Sequence, residues 1–173
     1  MPIAFRFAGE KDVPLLLDFV RALARYEGLE DRMTATEADL REFLSRGTGE
    51  ALFILADGRE VGFAVWYYTY STFRGKRGLY LEDLFVDEAE RGRGYGRMLL
   101  ARVAAIAAER DCFRMDWSVL DWNEPSIAFY EGLGARPVAN WLSYRLVGNA
   151  FDALAAEGAA LRGGSGPFPR FSH

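Results

Sequence analysis

The chain has 173 residues, half of them hydrophobic, 27% charged, with a net charge of -4, which is enough for one domain with a substantial core and argues against disorder. A net acidic chain is a poor default binder of nucleic acid, and the lack of a continuous apolar run of about eighteen residues argues against a membrane span. Cys112 is the one cysteine and His173, the last residue, the one histidine, so no internal disulfide, cysteine metal cluster or histidine-centred site is expected.

Read in order, Ile3 to Phe7 alternate as a first strand. Asp12 is placed to cap a helix whose apolar stripe runs through Val13, Leu16, Leu17, Val20 and Leu23. A second helix is expected from Glu37 to Phe43, capped by Thr36. A strand from Ala51 to Ala56 meets the turn Asp57-Gly58-Arg59-Glu60 and returns from Val61 to about Tyr70. Ser71 to Gly78 reads as a loop with three cations, Arg74, Lys76 and Arg77, and Leu79 to Val86 as the next strand. The run Arg91-Gly92-Arg93-Gly94-Tyr95-Gly96 opens a helix lined by Leu99, Val103 and Ile106. Alternation around Phe113 to Val119 predicts another strand, Asn123 caps a short helix ended by Gly132 and Gly134, and Trp141 to Val147 is expected as a last strand. The order predicts a mixed α/β layer around one central sheet, in a domain spanning residues 1–150. Residues 151–173 are expected as an extension, loosely ordered from Gly163 onward. The N-terminus lacks the pattern of a signal peptide, so a cytoplasmic location is expected.

The glycine run is the sharpest chemical feature. Alternating glycines allow a ligand close to backbone amides. The helix start beyond them leaves donors unpaired at the positive end of the helix dipole, and Arg91, Arg93 and Arg97 add charge. A diphosphate suits such a place. The spacing differs from the dinucleotide fingerprint, and the run lacks the lysine and hydroxyl residue of a nucleotide-triphosphate loop.

Arg91-x-x-Gly94-x-Gly96 resembles the pyrophosphate-binding motif of the Gcn5-related N-acetyltransferases (GNAT). Three further segments are similar to the diamine (spermidine/spermine or thialysine) acetyltransferase subgroup. They are Leu79-Tyr80-Leu81-Glu82-Asp83-Leu84-Phe85-Val86, Gly62-Phe63-Ala64-Val65-Trp66-Tyr67-Tyr68-Thr69-Tyr70, and Trp122-Asn123-Glu124-Pro125-Ser126-Ile127-x-Phe129-Tyr130. The resemblance implies a GNAT-like sheet with splayed central strands, acetyl-CoA as donor, no metal, and direct transfer to a primary amine. It implies Tyr130 opposite the departing sulfur and Glu82 as the group that deprotonates the amine through water. The cofactor side would comprise Leu84, Phe85, Val86, Arg91, Gly92, Arg93, Gly94, Tyr95, Gly96, Arg97, Asn123, Ser126 and Tyr130. The acceptor side would comprise Glu82, Asp83, Glu27, Tyr70 and Phe73.

The chemistry agrees with these roles. An alkylammonium must lose a proton before it can attack a thioester, and adjacent carboxylates attract a cation and raise each other's proton affinity. Ser71 and Phe73 depart from the aspartate and tryptophan of the polyamine enzymes, and Arg74, Lys76 and Arg77 weaken the negative field at the expected acceptor mouth. The acceptor is therefore expected to be a small diamine or lysine-like amine in preference to spermine. The resemblance also implies a homodimer that uses the last strand, with no nucleic acid or membrane partner. Two other readings stay open at this point: acetylation of a protein or peptide, and a non-catalytic acyl-CoA-binding module.

Overall fold

A computed structural model describes residues 2–161 of the chain; the expected loose tail from Gly163 and the terminal histidine lie outside the described residues. The chain divides into two compact units, one up to Ser118 and one from Val119 on.

The first unit is built on a five-stranded sheet in the order β1-β2-β3-β4-β5. Its strands are β1 (Ile3–Phe7), β2 (Glu50–Ala56), β3 (Arg59–Ser71), β4 (Lys76–Val86) and β5 (Met115–Asp116). The first four pair antiparallel, whereas β5 runs parallel to β4. Three helices complete the unit: α1 (Val13–Tyr26), α2 (Glu37–Ser45) and α3 (Tyr95–Glu109). The expected cap of α2 forms, with Thr36 Oγ1 accepting from Asp39 N at 3.3 Å and the Asp39 carboxylate accepting from Thr36 N at 2.8 Å.

Strand alternation sends the two faces of the sheet to different helices. Phe53, Phe63, Val65 and Phe85 pack with Leu16, Phe19 and Leu23 of α1, with Phe43 and Leu44 of α2 at the margin. The other face carries Leu52, Ala64 and Trp66, which meet α3. A polar knot holds the far end of α3 to that face. Glu50 accepts from Trp66 Nε1 at 3.2 Å, from the Tyr68 hydroxyl at 2.8 Å and from Arg110 Nη2 at 2.9 Å. Burial pushes the Glu50 carboxyl up, but the bonds from Arg110 and Tyr68 outweigh it and leave its pKa below the ordinary value.

Three expected elements differ. The loop expected over Ser71 to Gly78 is a shorter hairpin tip, because β3 continues to Ser71 and β4 begins at Lys76. The strand expected across Phe113 to Val119 pairs only at Met115 and Asp116, where β4 offers it a parallel edge at Leu79 and Tyr80; beyond Leu81, β4 is paired with β3 alone up to Val86. The strand expected from Trp141 to Val147 is absent among the described residues, and Trp141, Leu142 and Tyr144 are exposed. Apolar β-rich composition makes a strand only where an edge is paired, and this segment has no ladder of its own.

The second unit contains α4 (Glu124–Gly132) and α5 (Gly148–Ala160). Asn123 caps α4 as expected, its Oδ1 accepting from Ser126 N at 3.3 Å. Part of the expected C-terminal extension is thus an ordered helix. Among the described residues no helix is long and apolar enough to cross a membrane.

Candidate active site

The register of β3 and β4 slips once: Val65 faces Asp83, but the next residue, Trp66, faces Leu81. Glu82 is therefore the extra residue of a β-bulge. Counting from one end, Leu79 and Leu81 share the α3 face with Tyr68 and Trp66. Beyond the bulge, Asp83 and Phe85 share the α1 face with Val65 and Phe63. The bulge thus turns an aspartate to the side on which α1 ends. Glu82 itself is exposed.

Asp83 is desolvated there, and Glu82 and Glu27 add like charge. Burial first, then those two neighbours, pushes its carboxyl from the ordinary 3.8 up to about 7. Glu27, half-buried at the end of α1, is also raised by burial. Its position is set by the helix end, where Gly28 N–H donates to Arg25 O at 3.1 Å and Leu29 N–H to Ala24 O at 2.8 Å. On the same face as Asp83, the rings of Tyr67 and Tyr80 stack with centroids 5.1 Å apart. The Tyr80 hydroxyl lies 2.7 Å from Ser118 Oγ.

The raised carboxyl has a measurable consequence. The folded chain holds the Asp83 proton to about pH 7, whereas the unfolded chain releases it near 3.8, so from this group folding loses stability as pH rises between those values. The loss has an upper bound of about 4 kcal/mol. In Asp83→Asn it vanishes. Melting curves of variant and parent are expected to converge near pH 4, with the variant pulling ahead up to about pH 7 and the gap level above. Parallel curves across that range would overturn the assignment.

Downstream of β4, the loop that bears the glycine run is bolted at two points. Buried Glu90 pairs with Arg59 and with Arg93, whose Nη1 lies 3.0 Å from Glu90 Oε2. Arg91 Nε donates to Val86 O at 3.1 Å. Gly92 has φ +76° and Gly94 φ +82°, left-handed values that favour glycine, whereas Gly96 is an ordinary helical residue. Gly94 is the N-cap of α3, so the amides of Tyr95, Gly96 and Arg97 fall in the first turn, where a helix has no internal acceptors for them. A Cβ at Gly92 would meet nothing within 4 Å, so the loop surface is open there. This cradle fits a diphosphate, and it does so through backbone. Tyr95 is buried, so only its amide is available. Leu84, Phe85 and Val86 lie on β4 leading into this loop, Phe85 with its ring in the α1 core.

The structure does not bring every expected acceptor residue to this place. Tyr70 and Phe73 are exposed at the β3–β4 hairpin, at the opposite end of β4 from the glycine loop. Arg77 stacks over Tyr68, on the face away from Asp83, and Arg74 lies over the Phe113 ring at 5.9 Å. These cations do not surround the acidic group, contrary to the expectation of a weakened field. The reason is the bulge, which reverses the facing of β4 between Leu81 and Asp83. Glu30, just beyond the end of α1, pairs with Arg25 at 3.2 Å. In the second unit, Tyr130 lies on α4 with its ring 5.2 Å from Phe129. Sequence reasoning missed Tyr26, Glu90 and the Tyr67–Tyr80 stack; each depends on contacts between distant segments, and only the run Tyr26-Glu27 carried any local signal. Among the described residues no group of three or more acidic, histidine or cysteine side chains is arranged to hold a metal.

The chain thus combines a mixed sheet, a bulge in β4 and, at the end of that strand, a glycine loop whose amides could hold a diphosphate. The sequence profile of the acetyltransferase (GNAT) family matches residues 16–135, and the chain belongs to that family. It is an acetyltransferase that uses acetyl-CoA and acts on amines, and within the family it groups with the diamine and thialysine enzymes. It is 33% identical over 171 residues to the thialysine N-epsilon-acetyltransferase of Bos taurus, covering 90% of this chain and 98% of that one. It is 40% identical over 93 residues to the L-ornithine N5-acetyltransferase NATA1 of Arabidopsis thaliana, covering 54% of this chain and 41% of that one. Among solved structures, an integron cassette protein from the mobile metagenome of V. cholerae superposes with a TM-score of 0.73 at 26% identity, covering 90% of this chain and 98% of that one.

Proposed function

We propose that the chain transfers the acetyl group of acetyl-CoA to the primary amine of a small diamine or lysine-like amino acid. The observation that carries this reading is Asp83, turned by the bulge to the side on which α1 ends and raised by burial, with Glu82 and Glu27 adding like charge. So local an acidic field suits a short amine. A long polycation needs acids spaced along a groove. The names of the relatives, a thialysine and an ornithine acetyltransferase, point the same way.

In this reading the acceptor arrives as an ammonium and is held by the acidic group. Its proton passes through water to Glu82, or to Asp83, whose pKa of about 7 matches a base working near neutrality. The freed nitrogen lone pair attacks the thioester carbon, a new C–N bond forms, and the C–S bond breaks. The sulfur leaves with the bonding electrons and takes a proton from the Tyr130 hydroxyl, and the second proton lost by the nitrogen as the amide forms passes through water to restore that hydroxyl. The amides of the first turn of α3, with those of Gly92 to Gly94, hold the diphosphate.

The test is a kcat/KM panel of putrescine, spermidine, spermine, lysine and thialysine at fixed ionic strength. A short diamine, lysine or thialysine is expected to exceed spermine. Spermine ahead by more than tenfold would overturn the reading and require additional carboxylates along the acceptor path.

A further inference from the structure

Arg91 opens the motif that the family uses for phosphate, yet its guanidinium is engaged elsewhere. Its centre lies 4.4 Å from the Tyr26 ring centroid and 5.4 Å from that of Phe85, within the range of a cation–π contact, while Nε donates to Val86 O at 3.1 Å. Tyr26 is the last residue of α1 and Glu27 follows it. One side chain therefore spans from the glycine loop, across the end of β4, to the helix end that carries an acid of the acceptor group.

We propose that Arg91 is a positioning residue: a strap that ties the end of α1, and with it Glu27, to the loop that holds the diphosphate, so that acetyl-CoA and the amine each strengthen the other's binding. The proposal rests on the acceptor reading given above. The strap's backbone runs directly into the cradle at Gly92, and its side chain lies over Tyr26 at the end of α1. A ligand that fixes the loop also fixes the guanidinium, which narrows the positions open to Tyr26 and Glu27. Coupling between two binding events is reciprocal, so the amine must tighten acetyl-CoA by the same factor. Phe85 serves as a floor under the guanidinium, since its ring is fixed in the α1 core.

The experiment uses the full chain with Arg91→Met, Tyr26→Leu and the double variant. Affinity for CoA, which carries the diphosphate but no acetyl group to transfer, is measured by calorimetry with and without putrescine or lysine; acetyl-CoA affinity is measured alone, and KM and kcat are measured for both amines. In the parent, each ligand is expected to tighten the other. In Arg91→Met that mutual gain disappears and the amine KM rises roughly two- to thirtyfold, the span of a cation–π contact, more than kcat falls. Acetyl-CoA affinity measured alone stays within about threefold, because its cradle is backbone. Tyr26→Leu behaves alike, and the double variant is no worse than the worse single variant, as expected of two groups in one contact. A tenfold loss of acetyl-CoA affinity in Arg91→Met, with Tyr26→Leu silent, would overturn the proposal and assign the guanidinium to the phosphates. Effects that simply add would also overturn it. If the parent turns over neither amine, the acceptor reading fails, and hydrogen exchange decides the strap separately. Acetyl-CoA is then expected to slow exchange of the amides from Leu23 to Leu29 in the parent and not in Arg91→Met; equal slowing in both would overturn it.

Discussion

Tyr130→Phe is expected to lower kcat on the order of a hundredfold or more, the range typical of a positioned proton donor, while acetyl-CoA affinity changes little. The ring contact with Phe129 stays, because only the hydroxyl is removed. The hydroxyl matters chiefly when charge gathers on the leaving sulfur, so its loss falls on the transition state and leaves the ground state almost untouched. Single-turnover kinetics with acetyl-CoA prebound measures the chemical step without product release. A rate within twofold of the parent would remove Tyr130 from the mechanism. The alternative donor would then be water, and the rate would show no dependence on the side chain at all.

Gly94→Val is expected to weaken acetyl-CoA binding at least tenfold in a chain that still folds. The cause is backbone. At φ +82° a β-branched residue is strained, although the space around a Cβ is open, with Met98 Cε the nearest atom at 4.0 Å. The strain is relieved by rotating the peptide, which turns the amides of the cradle away from the position a diphosphate would take. A matched control separates aim from strain. Gly75 at the β3–β4 hairpin also has positive φ and open space, so Gly75→Val carries a similar backbone penalty away from the loop. Calorimetry is expected to give parent-like acetyl-CoA affinity for Gly75→Val and a loss for Gly94→Val. Equal affinities in two folded variants would dissociate the glycine loop from the donor.

The parts legible in the sequence were those with a local cause. Thr36 and Asn123 announced their helices because a cap is a short-range hydrogen bond. The glycine run could be read as a cradle because turn, helix start and charge are adjacent in the chain. The acidic pair could be seen, but not its division of labour. Alternation along β4 would place Leu81 and Asp83 on one face, and only the pairing with β3 reveals the inserted residue between them. The same slip removed Arg77 from the acceptor side. Tyr26 and Glu90 gain their roles from Arg91 and Arg59, which are far away in sequence. The last expected strand failed for a different reason. Its composition was right for a strand, but composition supplies no neighbour.

The slip in β4 also bears on how this scaffold can be altered. Deleting Glu82 would do more than remove one carboxylate. It would restore uninterrupted pairing, with Leu81 opposite Trp66 and Asp83 opposite Val65 as before, and remove the local bend and extra twist that the bulge puts into β4. Asp83 would keep its face but lose the angle at which the strand presents it. The spacing from Tyr80 to Phe85 is thus a ruler, and a transplant of acceptor specificity between related chains must carry that interval whole. Changes at Glu27 leave the ruler intact, so it is the place where a library of variants can explore new amines without first losing the fold.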